Sequence, residues 1–167
     1  RRGLDSPRYA ALVRDLGVLV AAPQLTGRAE RPAAKAGKKL VRKDLRRLKN
    51  RVRAAKQETG GAARSELLHE ARKDAKRLRY AAEAFVPVGG KAAESMVEAA
   101  EGIQKVLGEH QDSVVTQDLL LRLSRRPGRG GGGFTYGRLH AVEEQRLKAA
   151  EKRFRRLWKG FAGAHGW

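Results

Sequence analysis

The stretch Leu68-His69-Glu70-Ala71-Arg72-Lys73-Asp74-Ala75-Lys76-Arg77-Leu78-Arg79-Tyr80 decides the fold, because its apolar and charged side chains recur with the period of an α-helix. Its apolar residues are three or four positions apart and continue beyond the stretch as Leu68, Ala71, Ala75, Leu78, Ala82 and Phe85. This spacing gathers apolar side chains on one face and leaves charged ones on the other. The stretch therefore predicts an amphipathic helix that buries one face against neighbouring helices.

Comparable apolar series lie on both sides of this helix in the chain. They are Val41, Leu45, Leu48, Val52 and Ala55 before it, then Met96, Ala100, Ile103, Leu107, Val114 and Leu121, and finally Leu147, Ala150, Phe154, Leu157 and Phe161. Proline, glycine and the Ser6-Pro7 pair place helices at about 7–22, 32–58, 65–86, 91–123 and 135–161. The glycine-rich segment 126–133 predicts a flexible linker.

These patterns predict an all-α protein. The last four helices are expected to form an antiparallel four-helix bundle over residues 32–163, because short loops join amphipathic helices into such bundles. Residues 1–31 then form an additional N-terminal helix and its linker.

The composition points to an anionic partner. Lys and Arg number 37 against 18 Asp and Glu, which gives a formal charge of +19. Such an imbalance repels itself unless an anion binds, and nucleic acid, polyphosphate and an acidic membrane surface are the general classes. No apolar run approaches the roughly 20 residues of a membrane span. The absence of cysteine excludes disulfides and is typical of a cytoplasmic protein, which is the location we expect.

The second predicted helix carries much of the charge. Residues 32–58 contain eleven cations and two acids, hence +9. Seven of these cations follow one another at spacings of four and three: Lys35, Lys39, Arg42, Arg46, Lys49, Arg53 and Lys56. They would line one helix face over about 30 Å. This stripe predicts anion binding, whereas the ordinary alternative is a solvated surface.

The third predicted helix carries a more specific pattern. His69, Arg72, Lys76 and Arg79 lie at i, i+3, i+7 and i+10 and therefore share one face, with Lys73, Arg77 and Tyr80 on the next face round. Arginine offers a two-pronged fork, lysine a point charge and histidine an N–H donor, a combination suited to phosphate. The ordinary alternative is a polar face whose cations pair with Glu66, Glu70 and Asp74.

These residues carry a family resemblance. The stretch Leu68–Phe85 resembles the signature helix of the CHAD family, the conserved histidine α-helical domain. Residues 104–112 resemble the second characteristic segment of that family, and Tyr136-Gly-Arg-Leu139 is similar to the start of its last helix. The resemblance covers about residues 4–163. The family usually has two halves with such a helix in each, whereas this sequence shows the motif once. We expect residues 1–31 to be the tail of a missing first half, and the alternative is a degenerate member of the family.

The resemblance implies binding of inorganic polyphosphate by basic side chains, without catalysis or a cofactor, for targeting or regulation at polyphosphate granules. The binding residues that it implies are His69, Arg72, Lys76 and Arg79, with Lys73 and Arg77 beside them. The second helix contributes Lys39, Arg42, Arg46 and Lys49 by position and charge only. Tyr80, His110 and Asp112 are candidate supporting residues.

His110 lies on the apolar series between Leu107 and Val114, which favours a buried core residue over a ligand. Asp112 is a candidate to orient His110 or a basic partner. Glu66 and His69 form the Glu-x-x-His pattern of di-iron bundles, but no second copy accompanies it, so we predict no metal site.

Two other functions stay open at this point. A histidine phosphotransfer bundle would use His69 as the phosphate acceptor, which needs an orienting partner. Binding to the RNA or DNA backbone would use the same basic faces through nonspecific electrostatics. Single-strand binders usually add aromatic stacking platforms. Only 5% of the residues are aromatic, and Phe154, Trp158 and Phe161 have core spacing, which favours a ligand that has phosphates and no bases.

Overall fold

The computed structural model describes residues 3–125 and 132–164. These residues form four α-helices and no strand: α1, Pro7–Ala21; α2, Ala33–Gln57; α3, Gly61–Ser124; and α4, Gly132–Ala164. The all-α prediction is therefore confirmed. The predicted linker falls mostly on residues 126–131, which lie outside the described residues.

The chain divides into two compact units, Arg1–Pro32 and Ala33–Trp167. Helix α1 belongs to the first unit and begins as the sequence predicts. The Ser6 hydroxyl accepts a hydrogen bond from the Tyr9 N–H at 3.2 Å, and Pro7 occupies the first helical turn. None of its residues is buried, and its apolar side chains, such as Leu12, Leu16 and Leu19, are exposed.

Helices α2, α3 and α4 build the second unit, and α3 is divided at Gly90. Gly90 has φ 52° and ψ −143°, a conformation that only glycine adopts without strain. We call residues 61–89 arm 1 and residues 91–124 arm 2. The arms fold back on each other, so that Arg79 Nε of arm 1 donates to Gln104 Oε1 of arm 2 at 3.1 Å. Together with α2 and α4, the two arms provide the four helical rods of the predicted bundle.

The predicted bounds of the third helix were wrong at both ends. The helix does not start at Ser65 but one turn earlier, where Gly60 is the cap residue and its carbonyl accepts from the Arg64 N–H at 2.9 Å. It also passes through Pro87. A proline removes one N–H and crowds the preceding turn. At Pro87 the carbonyl of Glu83 therefore loses its helical partner, and arm 1 continues only as far as Gly89.

The core lies where the apolar series of α2 and arm 1 predict it, since every member of both series is buried. The predicted series of arm 2 and α4 each include a residue that is not buried. Leu121 is 44% exposed while its neighbour Leu120 is buried, and Leu157 is 44% exposed while Trp158 is buried. Adjacent residues differ by about 100° on a helix with 3.6 residues per turn, so a small rotation exchanges them.

A partly buried carboxylate joins the rods of the bundle. Glu151 of α4 accepts from Arg64 Nη2 at 3.2 Å and from Arg155 Nη2 at 3.0 Å. Arg64, at the start of arm 1, also donates to the Ala55 carbonyl of α2 at 2.6 Å. His110 of arm 2 is buried, and its Nε2 lies 3.6 Å from Glu151 Oε1, an ion-pair distance rather than a hydrogen bond. We call Arg64, His110, Glu151 and Arg155 the Glu151 cluster.

Burial and hydrogen bonding together determine the charge states of Glu151 and His110. Burial by itself raises the pKa of Glu151, but hydrogen bonds from Arg64 and Arg155 outweigh it and hold that pKa below its ordinary value. Burial lowers the pKa of His110, and the nearby Glu151 carboxylate only partly opposes this effect. At neutral pH, Glu151 is therefore charged and His110 is neutral.

We predict that Gly90→Ala lowers the free energy of unfolding by about 1–3 kcal/mol, because alanine is strained at this positive φ. Gly102→Ala is the matched control. A Cβ at Gly102 would meet no atom within 4 Å, and alanine in a helix interior stabilises by roughly 0.5–1 kcal/mol relative to glycine. Urea unfolding measures both variants. Equal stability of the two alanine variants would contradict the assigned turn.

We predict that stability decreases as pH falls below about 7, because the unfolded chain binds a proton at His110 near its ordinary pKa of 6.5, whereas the pKa of His110 in the folded chain is lower. Glu151 titrates below 4.5 and so does not contribute to the onset of this decrease. His110→Gln should flatten the decrease, whereas the His140→Gln control should keep it. Urea unfolding at several pH values tests this. An unchanged slope in His110→Gln would show that His110 is not the titrating group.

Candidate functional site

The four residues of the predicted phosphate motif form a row along arm 1, on the edge next to arm 2. We call His69, Arg72, Lys76 and Arg79 the motif row. Arg79 reaches Gln104 of arm 2, and a Cβ added at Gly108 of arm 2 would lie 3.4 Å from Arg72 Nε. Lys76 is exposed, whereas the other three side chains are partly buried. The row is therefore supported by a second helix and does not project freely into solvent.

Tyr80, which the spacing placed on the neighbouring face, contacts two cations of the motif row. Its ring centroid lies 4.6 Å from the Arg79 guanidinium carbon and 5.6 Å from Lys76 Nζ, distances typical of cation–π contacts. The ring is half exposed. Tyr80 thus holds two cations of the row beside each other.

Ion pairing separates the predicted binding residues into two groups. Lys73 pairs with Glu70 at 2.6 Å, Arg77 with Asp74 at 3.1 Å, and Arg79 with Glu83 at 2.5 Å. The hydrogen bond from Lys73 also lowers the pKa of Glu70. By contrast, the residues of this helix that make no hydrogen bond or ion pair within the described part of the chain include His69, Arg72 and Lys76. Each cation of the first group has an acid three or four positions away on the same helix, close enough to pair with it. The second group has no such pairing among the described residues.

Two atoms of the motif row are buried without a hydrogen-bond partner among the described residues, His69 Nδ1 and Arg72 Nε. Buried polar atoms in proteins are nearly always satisfied, and an unsatisfied one costs about 1–3 kcal/mol. Partial burial also restricts the rotamers of these side chains, so less entropy is lost when they bind. Arg72 and His69 are accordingly restricted in position, and no acid among the described residues pairs with either side chain.

The remaining predicted residues lie on α2. The side chains of Lys39, Arg42, Arg46 and Lys49 make no hydrogen bond or ion pair with any residue that the structure describes. Some of them line a groove of about 590 Å³ whose walls are all basic: Lys35, Lys38, Lys39, Arg42, Lys43 and Arg46. We call the predicted cation series of this helix, from Lys35 to Lys56, the α2 stripe.

Arg51 of α2 and the buried Asp74 of arm 1 lie 3.5 Å apart at one contact between these helices. Lys49 is two positions from Arg51, and Arg72 is two positions from Asp74. Two positions correspond to about 200° on a helix, so each of these two cations projects away from the contact on its own helix. Arg77, by contrast, lies at the contact, since it pairs with Asp74.

The predicted supporting role of Asp112 is not observed. Asp112 is exposed and makes no hydrogen bond or ion pair with the described residues, and it lies two positions, about 200°, from His110. The carboxylate beside His110 is Glu151, which sequence reasoning missed. The one available signal was that Glu151 is the single acid between Lys148 and Lys159, a segment otherwise rich in cations. His110 is buried, as its place in the apolar series predicted.

Residues 3–125 and 132–164 lack two further features. No group of three or more His, Asp or Glu side chains is arranged to hold a metal ion. No helix in these ranges combines the length and the apolar character needed to cross a membrane.

Comparison with known proteins places these features in a family. The CHAD domain family matches residues 1–121. Two uncharacterized proteins of Mycobacterium tuberculosis, MT2285 of strain CDC 1551 and Rv2226 of strain H37Rv, are each 35% identical over 148 residues, which is 84% of this chain and 26% of the relative. The chain thus spans about a quarter of the length of these relatives. No solved structure matches it significantly. CHAD domains are linked in general to polyphosphate binding. With a family match over most of its length, this chain belongs to the CHAD domain family.

Proposed function

We propose that this chain binds inorganic polyphosphate at the motif row and catalyses no reaction on it. The observation that carries the proposal is the contrast on arm 1: Arg72 and Lys76 are unpaired, while Lys73 and Arg77 are held by acids. An anion can bind unpaired cations at little cost in free energy, because no existing ion pair has to be broken.

The arrangement favours phosphates without bases. Arg72 offers a fork, Lys76 a point charge and His69 an N–H donor, which together match successive phosphate groups. The half-exposed aromatic ring of the row, Tyr80, already has Lys76 and Arg79 beside it. The aromatic rings of Phe154, Trp158 and Phe161 lie in the core. Stacking of bases, on which many single-strand binders rely, therefore has little support at the row.

The α2 stripe contributes to the same proposal through charge. From Lys35 to Lys56 it extends over about 30 Å at 1.5 Å per residue. Its unpaired cations would attract any long polyanion, including RNA or DNA, by releasing counterions. We assign specific contacts to the motif row and general attraction to the α2 stripe. Targeting to cytoplasmic polyphosphate granules, or regulation there, would follow from this ligand.

His69 is proposed as a binding residue and not as a phosphate acceptor. A nucleophilic histidine is usually oriented by a hydrogen bond from a partner. Within the described part of the chain, no such bond reaches His69, and its Nδ1 is buried. The cations around it suit the binding of phosphate better than its transfer.

We predict that Arg72→Gln/Lys76→Gln weakens polyphosphate binding far more than Lys73→Gln/Arg77→Gln, although both double variants remove two positive charges from arm 1. A charge-assisted contact is worth roughly 1.5–3 kcal/mol, and about 1.4 kcal/mol is a factor of ten. The first variant should therefore lose at least about tenfold in affinity, measured by isothermal titration calorimetry with polyphosphate of one length. Circular dichroism checks that both remain helical. Equal losses would mean that polyphosphate responds only to net charge.

We also predict that the protein releases no orthophosphate from polyphosphate, with or without Mg²⁺, in a colorimetric phosphate assay. Binding by calorimetry on the same sample shows that the protein is active. Phosphate release that scales with protein concentration and disappears in His69→Gln would contradict the non-catalytic part of the proposal.

A further inference from the structure

Two grooves follow one another along α2 and share cations of the α2 stripe. The first is the basic groove of about 590 Å³ that extends from Lys35 to Arg46. The second, of about 310 Å³, is lined by Arg42, Leu45, Arg46 and Lys49. Because Arg42 and Arg46 line both grooves, the two adjoin, and their walls are almost entirely basic from Lys35 to Lys49.

Beyond these grooves the α2 stripe turns toward the core of the bundle. Its cations recur every 3.5 residues on average, so the stripe drifts around the helix by about 20° in each seven-residue repeat. Lys35 lies six positions, about 120° around the helix, from the buried Val41. Lys56 lies four positions, about 40°, from the buried Val52. The far end of the stripe therefore reaches the edge where α2 packs against its neighbours.

At that edge Lys56 lines a cleft of about 750 Å³ between α2, the start of arm 1 and α4. The α4 wall carries three cations at i, i+4 and i+7, which share one helix face: Lys152, Arg156 and Lys159. We call these three residues the α4 cations. Neither they nor Lys56 makes a hydrogen bond or ion pair with the described residues. The apolar side chains of the cleft are packed in the core, so a ligand there would meet basic ones.

We propose that the α2 stripe and the α4 cations form one continuous track for a linear polyphosphate, and that the α4 cations select long chains over short ones. The inference rests on polyphosphate as the ligand. The α2 part of the track is about 30 Å long, and the α4 cations begin where it ends. A chain longer than that part contacts both helices at once, and the second contact adds affinity because it is made within one complex. A short chain occupies only one part of the track.

The track suits polyphosphate better than RNA. Successive cations of the stripe are about 5 Å apart along the helix axis. Adjacent phosphates of polyphosphate share one oxygen, whereas a sugar separates those of RNA, so polyphosphate brings more negative charge to each length of the track. Among the described residues, no aromatic side chain lines the two grooves along α2, so bases find no stacking surface there.

The test measures the affinity of the full chain for tripolyphosphate and for polyphosphate whose extended length exceeds about 40 Å, enough to cover both parts of the track. Lys152→Gln/Arg156→Gln/Lys159→Gln should weaken the long chain at least tenfold and tripolyphosphate less than threefold, in calorimetry at fixed ionic strength. The slope of log affinity against log salt for the long chain should become shallower by about two, because each phosphate contact contributes about 0.7 in single strands.

The matched control, Arg146→Gln/Lys148→Gln/Arg153→Gln, removes the same charge from the same helix. It takes cations already paired with Glu143, Glu144 and Glu109, so it should change the affinity for either chain less than threefold. Circular dichroism checks that both triple variants remain helical.

Equal losses of long-chain affinity in the two triple variants, or equal losses for long and short chains in the first, would overturn the track while leaving binding at the motif row intact. RNA with as many phosphates that binds as tightly and depends equally on the α4 cations would overturn the assignment of the track to polyphosphate. Long polyphosphate that does not bind the unaltered chain at all would overturn the proposed function together with the track.

Discussion

The constraint on which the rest of this structure depends is a shortage of acidic partners for its basic side chains, 18 Asp and Glu against 37 Lys and Arg. Each acid that pairs inside the bundle holds a cation in place and joins helices, as Glu151 does for Arg64 and Arg155 and as Asp74 does for Arg51 and Arg77. Buried carboxylates are stable there only because these cations offset the loss of hydration. The cations that remain without a partner are therefore available on the surface, and their positions determine which anions the protein is suited to bind.

The unpaired cations occupy surfaces of different character. On the motif row they are few: Arg72 is partly buried beside arm 2, and the exposed Lys76 lies against the ring of Tyr80. On the α2 stripe they are numerous and mostly exposed, so their contribution falls as salt screens them. One charge imbalance thus produces a specific row and a general attractive surface.

The sequence predicted those features that one helix decides by itself. The apolar series of α2 and arm 1 identified their buried faces, and the i, i+3, i+7, i+10 spacing placed His69, Arg72, Lys76 and Arg79 on one edge. Features that depend on packing were not predictable in the same way. Spacing gives a helix face but not its exact rotation, so Leu121 and Leu157 were assigned to the core although each is 44% exposed, while Leu120 was missed. The helix also continues through Pro87 to the turn at Gly90, beyond the end that the proline predicted. The contact between His110 and Glu151 joins two helices that no local pattern connects.

The central claim is that the motif row recognises polyphosphate as such and not any chain of phosphates. The most direct measurement is a competition at fixed salt of about 0.15 M, near physiological ionic strength. In it, RNA and polyphosphate of equal phosphate content displace a labelled polyphosphate from the full chain. If the row carries the specificity, polyphosphate displaces the label at a concentration at least tenfold lower than RNA, and this preference disappears in Arg72→Gln/Lys76→Gln. RNA that competes equally well, phosphate for phosphate, with an identical result in that variant, would contradict the account.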